Sequence, residues 1–152
     1  MSLAPDLAGR EFPATPPFDV SGSQIAAFAD AIGADDPLHR DPDAARAAGH
    51  PDVVAPPTYP IVVAFQAMTA FMADPDVGIE LRNVVHSEQR FEADRPIRAG
   101  DVLTATITVE SVRQAAGTAL IATRSVIRTV DGEPVCTAYA TLAHRAPDGE
   151  TS

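Results

Sequence analysis

The segment Asp35-Asp36-Pro37-Leu38-His39-Arg40-Asp41-Pro42 sets one imidazole among three carboxylates and stiffens the backbone on both sides of it. Each proline locks its own φ and drives the residue before it out of the helical region. Asp36 and Asp41 are therefore held extended, with Leu38 and His39 presented between two rigid points. An imidazole changes charge near neutral pH, and an imidazole with carboxylates at hand is the residue set of proton transfer. A solvated turn with a bystander histidine accounts for the same residues. No His/Cys/Asp grouping has metal-ligand spacing, because His39, His50 and His86 lie in separate segments. Gly-rich phosphate loops and nucleophile elbows are absent from the sequence.

These side chains need elements to position them. Prolines at 5, 13, 16 and 17 make residues 1–18 read as an extended N-terminal arm. Ser21 then offers a helix cap, and Ile25, Phe28, Ala29 and Ile32 recur at helical spacing until Gly33 ends the element. The histidine turn follows directly. Asp43 to Ala48 reads as a short helix closed by Gly49. After a proline-rich stretch over 51–60, the run Ile61–Met72 is apolar almost throughout and predicts a central buried helix, stopped at Asp74-Pro75-Asp76.

From Val84 onward the hydrophobic period becomes two. Strands are predicted over about 84–93, 102–113, 118–130 and 134–145, separated by Ala99-Gly100-Asp101, Ala116-Gly117 and the hairpin signal Asp131-Gly132. Leu103, Ala105, Ile107 and Val109 alternate with polar residues, and Leu120 and Ala122 continue the pattern in the next strand. His86 falls on the strand expected to cross the central helix, where a packed histidine bonded to backbone is the plain reading. The expected class is α+β: residues 19–146 form one domain, a curved antiparallel sheet wrapped round one helix, followed by a disordered tail over 147–152. Such a sheet leaves edges to protect, and edge-to-edge pairing predicts a dimer or pseudo-dimer.

Composition narrows the partners. The 152 residues carry 11 basic and 21 acidic side chains, a net charge of −10, and every basic residue is arginine. That balance argues against nucleic acid, whose phosphates need a basic surface. No apolar run approaches the roughly 20 residues of a membrane span, and no secretory signal is visible. The single cysteine, Cys136, excludes an internal disulfide, reads as a small buried strand residue and fits a reducing cytoplasm.

Taken in order, Asp-Pro-Leu-His-x-Asp-Pro, Ala55-Pro56-Pro57-Thr58, the apolar helix, His86-Ser87-Glu88-Gln89-Arg90-Phe91 and Arg95-Pro96-Ile97-Arg98-Ala99-Gly100-Asp101 resemble the MaoC-like hot-dog dehydratases. The match is closest to their N-terminal-type branch and runs from about Gly9 to Arg145. The resemblance implies a hot-dog fold and the hydration or dehydration of (3R)-hydroxyacyl thioesters in fatty-acid metabolism. It implies no cofactor beyond the coenzyme A or phosphopantetheine that carries the acyl group. In catalytic members an Asp-x-Asn-Pro-x-His run supplies acid and base, and a backbone N–H at the start of the central helix holds the enolate oxygen. Carried over to this chain, His39 stands at the motif histidine and Asp36 at the asparagine. Ala34 stands where the aspartate belongs, with Asp35 one place off. Pro56-Pro57 replaces the His-Gly pair, so the N–H expected at Pro57 is missing.

The resemblance also assigns Gln89 a hydrogen bond across the sheet and allows His86 a place beside the thioester tunnel. Arg95 and Arg98 are the residues expected to contact the phosphates of coenzyme A or phosphopantetheine, with solvated strand-end charges as the alternative. Three functions follow. The first is the substrate-channel half of a dehydratase whose hot-dog partner brings the intact acid–base pair. The second is a homodimeric (R)-enoyl-CoA hydratase using His39 with Asp35 or Asp36. The third is a non-catalytic acyl-thioester binding protein. The missing carboxylate and amide favour the first.

Overall fold

Capping fixes where the helices begin. The Ser21 hydroxyl accepts from the Gln24 N–H (3.2 Å) while the Gln24 side chain accepts from the Ser21 N–H (3.0 Å), a reciprocal box that opens the first helix. Asp41 caps the second through the Asp43 N–H (2.9 Å), with Pro42 at its first position. In this computed structural model, which describes residues 3–146, the elements are β1 (Phe18–Asp19), α1 (Gly22–Ala31), α2 (Pro42–Ala47), α3 (Pro60–Ala73), β2 (Val84–Ala93), β3 (Val102–Ala115), β4 (Thr118–Thr129) and β5 (Pro134–Arg145). Short 3₁₀ turns lie at Pro37–His39 and Leu81–Asn83. The tail expected to be disordered, 147–152, lies outside the described residues.

The strands form one antiparallel sheet in the order β1-β3-β4-β5-β2, curled round α3. This is the hot-dog architecture, and its core lies between helix and sheet. Val63, Ala64, Ala67, Met68 and Phe71 of α3 pack on Leu103, Ala105, Ile107 and Val109 of β3 and on Ile121, Ile127, Ala138, Ala140 and Leu142 of β4 and β5. Each large apolar side chain buried there contributes on the order of 1.5–3 kcal/mol. The arm is part of this core: Leu7 is buried and the Phe12 ring meets Phe71 edge-on at 5.1 Å. Its backbone also bonds to β3, with Phe12 N–H on Ile107 O and Thr15 N–H on Ala105 O, both at 3.0 Å. Arm and β1 thereby cover the β3 edge of the sheet.

Two expectations need correction. The run 61–72 is not buried all round, because Phe65, Gln66, Thr69 and Ala70 remain exposed along one side of α3. In β4 the inward face is Ala119, Ile121, Thr123, Ser125 and Ile127, so Leu120 and Ala122 point outward. The phase is set by pairing with β3, whose buried Leu103, Ala105, Ile107 and Val109 stand opposite Thr129, Ile127, Ser125 and Thr123.

Candidate functional site

The histidine turn is built from both ends. The Asp36 carboxylate accepts from the Leu38 N–H (3.0 Å), and Arg40 ties the turn back to α1 through Asp30 (2.6 Å). His39 is 9% exposed, and its Nδ1 lies 2.7 Å from the Val54 carbonyl oxygen. A carbonyl can only accept, so in the neutral ring Nδ1 carries the proton and Nε2 keeps its lone pair. Val54 also donates its N–H to Leu38 O (3.0 Å). On its other side the segment 53–55 pairs with 97–99, through Ala55 N–H on Ile97 O (2.7 Å) and Ala99 N–H on Val53 O (3.0 Å). His39, Val54 and Arg98 thus belong to three adjoining lengths of backbone.

The missing groups are missing in space as well as in sequence. Ala34 ends α1 with its N–H on Ala29 O (2.8 Å) and brings no carboxyl. Asp35 is exposed, and the Asp36 carboxylate, also exposed, caps the 3₁₀ turn. Pro56, Pro57 and Pro60 offer no N–H at the start of α3, while the N–H groups of Tyr59, Ile61 and Val62 bond to the oxygens of Pro56, Thr58 and Tyr59. The Thr58 N–H has no acceptor among the described residues and is the one backbone donor left free there. The Tyr59 ring meets Phe28 edge-on at 5.3 Å, and its buried hydroxyl has no partner among the described residues. Burial raises the pKa of that phenol.

Arg95 and Arg98 have different surroundings. The Arg95 guanidinium, 15% exposed, grips Asp101 with two bonds of 2.9 Å, Glu133 with bonds of 2.9 and 3.4 Å, and Pro96 O at 2.9 Å. A guanidinium has five N–H groups, and all five have acceptors here. The Asp101 pair raises the Arg95 pKa, and Arg95 in turn lowers that of Glu133. Arg95 therefore braces the β2–β3 connection against the β4–β5 turn. Arg98 is half-buried, and its side chain bonds to nothing among the described residues.

A narrow groove runs between α3 and the inner face of the sheet. Ile61, Ala64, Phe65 and Met68 form its helix side; Ser125, Ala138, Ala140, His86 and Gln89 form its sheet side. Small side chains face one another across it, and the enclosed space is ≈ 10 Å³, about one water-sized group. At the rim His86 Nε2 lies 3.0 Å from Gln89 Oε1, so glutamine and histidine pair along β2 rather than across the sheet. Ser125, 2% exposed on β4, lines the groove with a hydroxyl that has no partner among the described residues. Sequence reasoning passed over Ser125 because its phase in β4 was read the other way. His39 does not line this groove. His144 accepts the Glu80 N–H (3.1 Å) through Nε2, and burial lowers its pKa. No cluster of metal-ligating side chains occurs among the described residues.

Comparison with known proteins fits this geometry. The family described as "FAS1-like, dehydratase domain region" matches residues 6–138. A UPF0336 protein of Saccharopolyspora erythraea is 45% identical over 154 residues, 99% of each chain. Among solved structures, a chain of the C-terminally truncated HadBC (3R-hydroxyacyl-ACP dehydratase) complex of Mycobacterium tuberculosis superposes with TM-score 0.84 and 33% identity, covering 93% of this chain and 99% of that one. A MaoC-like dehydratase gives TM-score 0.80 and 29% identity over 94% of this chain but only 43% of its own. With a sheet curled round one helix, a proline-locked histidine turn and a family match over most of its length, the chain belongs to the FAS1-like dehydratase domain family of MaoC-like hot-dog proteins.

Proposed function

We propose that this chain is the substrate-channel half of a (3R)-hydroxyacyl-thioester dehydratase, which run in reverse is an (R)-specific enoyl hydratase. Its partner is a second hot-dog chain. One observation carries the reading: among the described residues the ten-residue edge strand β2 has no neighbour on its outer side, and it borders a groove left open at Phe65 and His86. A hot-dog partner pairing along β2 would continue the sheet and close that groove over an acyl chain. Dehydration removes the C2 proton, expels the C3 hydroxyl as water and needs donors for the thioester oxygen. This chain offers no carboxyl at Ala34 and no N–H at Pro57, and loss of one such donor typically costs about 10²–10³ in rate. The partner supplies the acid–base pair; this chain supplies the apolar wall of α3 and the polar Ser125, His86 and Gln89 opposite. No cofactor is required beyond the handle of the thioester. The similar HadBC is a complex, a 3R-hydroxyacyl-ACP dehydratase, and the MaoC-like dehydratase is more than twice the aligned length. The test is co-expression with a neighbouring hot-dog subunit. Hydration of crotonyl thioester by the mixture alone supports the reading, and brisk turnover by the isolated chain overturns it.

The fixed tautomer of His39 favours a second reading, a homodimeric hydratase in which Nε2 acts as the base. It requires that the isolated wild-type chain hydrate crotonyl-CoA and that His39→Ala abolish this. Stabilisation by acyl-CoA with no turnover in any pairing would leave a binding protein.

A further inference from the structure

Two hydroxyls of β4 face the core, and only one of them is satisfied. Thr123 Oγ1 donates to the Ala140 carbonyl oxygen (3.2 Å), whereas Ser125, two residues on and also buried, has no hydrogen-bond partner among the described residues. A buried hydroxyl without a partner is destabilising, and native interiors hold few of them. Ser125 borders the groove beneath α3, whose ≈ 10 Å³ of open space takes one water-sized group.

The rim of the groove is built towards the same space. In a regular strand residues three apart point to opposite faces, yet His86 and Gln89 both line the groove. A bulge between His86 and Glu88 changes the phase, and the Ser87 hydroxyl fastens it by donating to Thr141 O (3.0 Å). Gln89 Oε1 can only accept, so the neutral His86 ring donates to it from Nε2 (3.0 Å) and keeps a lone pair on Nδ1. One Gln89 amide hydrogen meets Arg90 O at the long distance of 3.5 Å, and the other has no acceptor among the described residues. Burial deepens from the exposed His86 through the half-buried Gln89 to Ser125. The sheet side thus carries unspent hydrogen-bonding capacity from rim to depth, and the α3 side opposite is wholly apolar.

A plain alkyl chain lying between these walls would cover the Ser125 hydroxyl without giving it a bond. A chain with an oxygen at that depth would complete it, and sites built to bond a substrate oxygen reject the analogue that lacks one. Resting on the dehydratase reading above, we infer that the acyl group this chain receives carries a hydroxyl or oxo oxygen beyond the reacting carbons, held by the Ser125 hydroxyl, with Gln89 and His86 lining its way in.

The experiment gives the co-purified complex ten-carbon 2-enoyl-CoA substrates, one plain and the others with a hydroxyl or an oxo group at a single carbon beyond C4. At one position kcat/KM is expected to exceed that of the plain chain at least tenfold, and comparing the two groups there tells hydroxyl from oxo. Ser125→Ala removes an unpaired hydroxyl and should fold as well as the wild type. It is expected to bring the ratio of oxygenated to plain chain to within about twofold of one. Thr106→Ala, which deletes a hydroxyl from the outer face of β3, is the control and keeps the wild-type ratio. A plain chain preferred at every position would mean that the space beside Ser125 holds water only, and overturns the inference. So does a ratio unmoved by Ser125→Ala or moved equally by Thr106→Ala. If no thioester is turned over, the dehydratase reading fails separately, and thermal shifts with the saturated ten-carbon acyl-CoAs decide. Greater stabilisation by an oxygenated chain, lost in Ser125→Ala, upholds the contact, and equal or no stabilisation refutes it.

Discussion

The His39 ring is held by its Nδ1–H, and its Nε2 has no hydrogen-bond partner among the described residues. Its Nδ1–H bond to Val54 O does two things: it sets the tautomer, and it satisfies a carbonyl inside the protein. Replacing His39 by alanine strands that carbonyl, which costs about 1–2 kcal/mol. We expect a urea midpoint lowered to match and, if the proposed partner brings the acid–base pair, a kcat of the complex within about twofold of the unsubstituted one. A collapse of kcat with normal stability would transfer catalysis to this chain. The proline-locked turn was legible in the sequence because proline acts on its own backbone and on the residue just before it. Arg95 was not. Its acceptors include Glu133, 38 positions away, which meets it only when the β4–β5 hairpin folds back. Spacing along the chain therefore put Arg95 and Arg98 together as phosphate residues, whereas folding engages every donor of the Arg95 guanidinium and leaves the Arg98 side chain without a hydrogen bond among the described residues.

Among the elements, turns and connectors carry the strain that the strands do not. The β3–β4 hairpin turns through Ala116 and Gly117 with φ of 50° and 81°, so alanine occupies a left-handed position that suits glycine or asparagine. Ala116→Gly removes a steric cost of about 1–2 kcal/mol and adds a somewhat smaller entropic one. The expected result is a gain of about 0.5–1 kcal/mol in urea titration, and a loss would place the strain elsewhere. The connector before β2 is held by His144, which accepts the Glu80 N–H in its neutral form. Burial lowers its folded pKa below the ordinary 6.5, against an opposing pull from Glu80. The unfolded chain then binds the proton first as pH falls. The contribution of His144 is complete above about pH 6.5 and declines as pH drops from there towards the folded value. His144→Gln should flatten that part of the stability–pH curve, and parallel curves for the two proteins would dismiss the assignment. Element types were legible from period and capping, as in the Ser21 cap and the Asp131-Gly132 turn. The phase of β4 was not, because its inward Thr123 and Ser125 look like surface residues.

The molecule as a whole is asymmetric in how it treats its two sheet edges. The arm and β1 cover one edge, whereas β2 presents an uncovered one with Val85 64% exposed, beside Phe65 at 48% on α3. Exposed edges invite pairing, and this one carries partial protection in the bulge at Ser87 and the charges of Glu88, Arg90 and Glu92. Those devices resist indiscriminate association without preventing a partner that matches them. Curvature round one helix made the exposed edges legible in the sequence; which edge stayed open depended on where the arm lay down, a contact between residues about ninety positions apart. If β2 and the exposed side of α3 receive the partner, Phe65 lies near the centre of that interface, where an aromatic side chain counts most. Phe65→Asp should then weaken the complex about 100-fold or more in analytical ultracentrifugation, since a charge would be buried against an apolar surface. The isolated chain should keep its stability to within about 0.5 kcal/mol, because the side chain already stands half in water. A variant that still assembles normally would mean the partner sits elsewhere, and the groove would then have to bind its ligand uncovered.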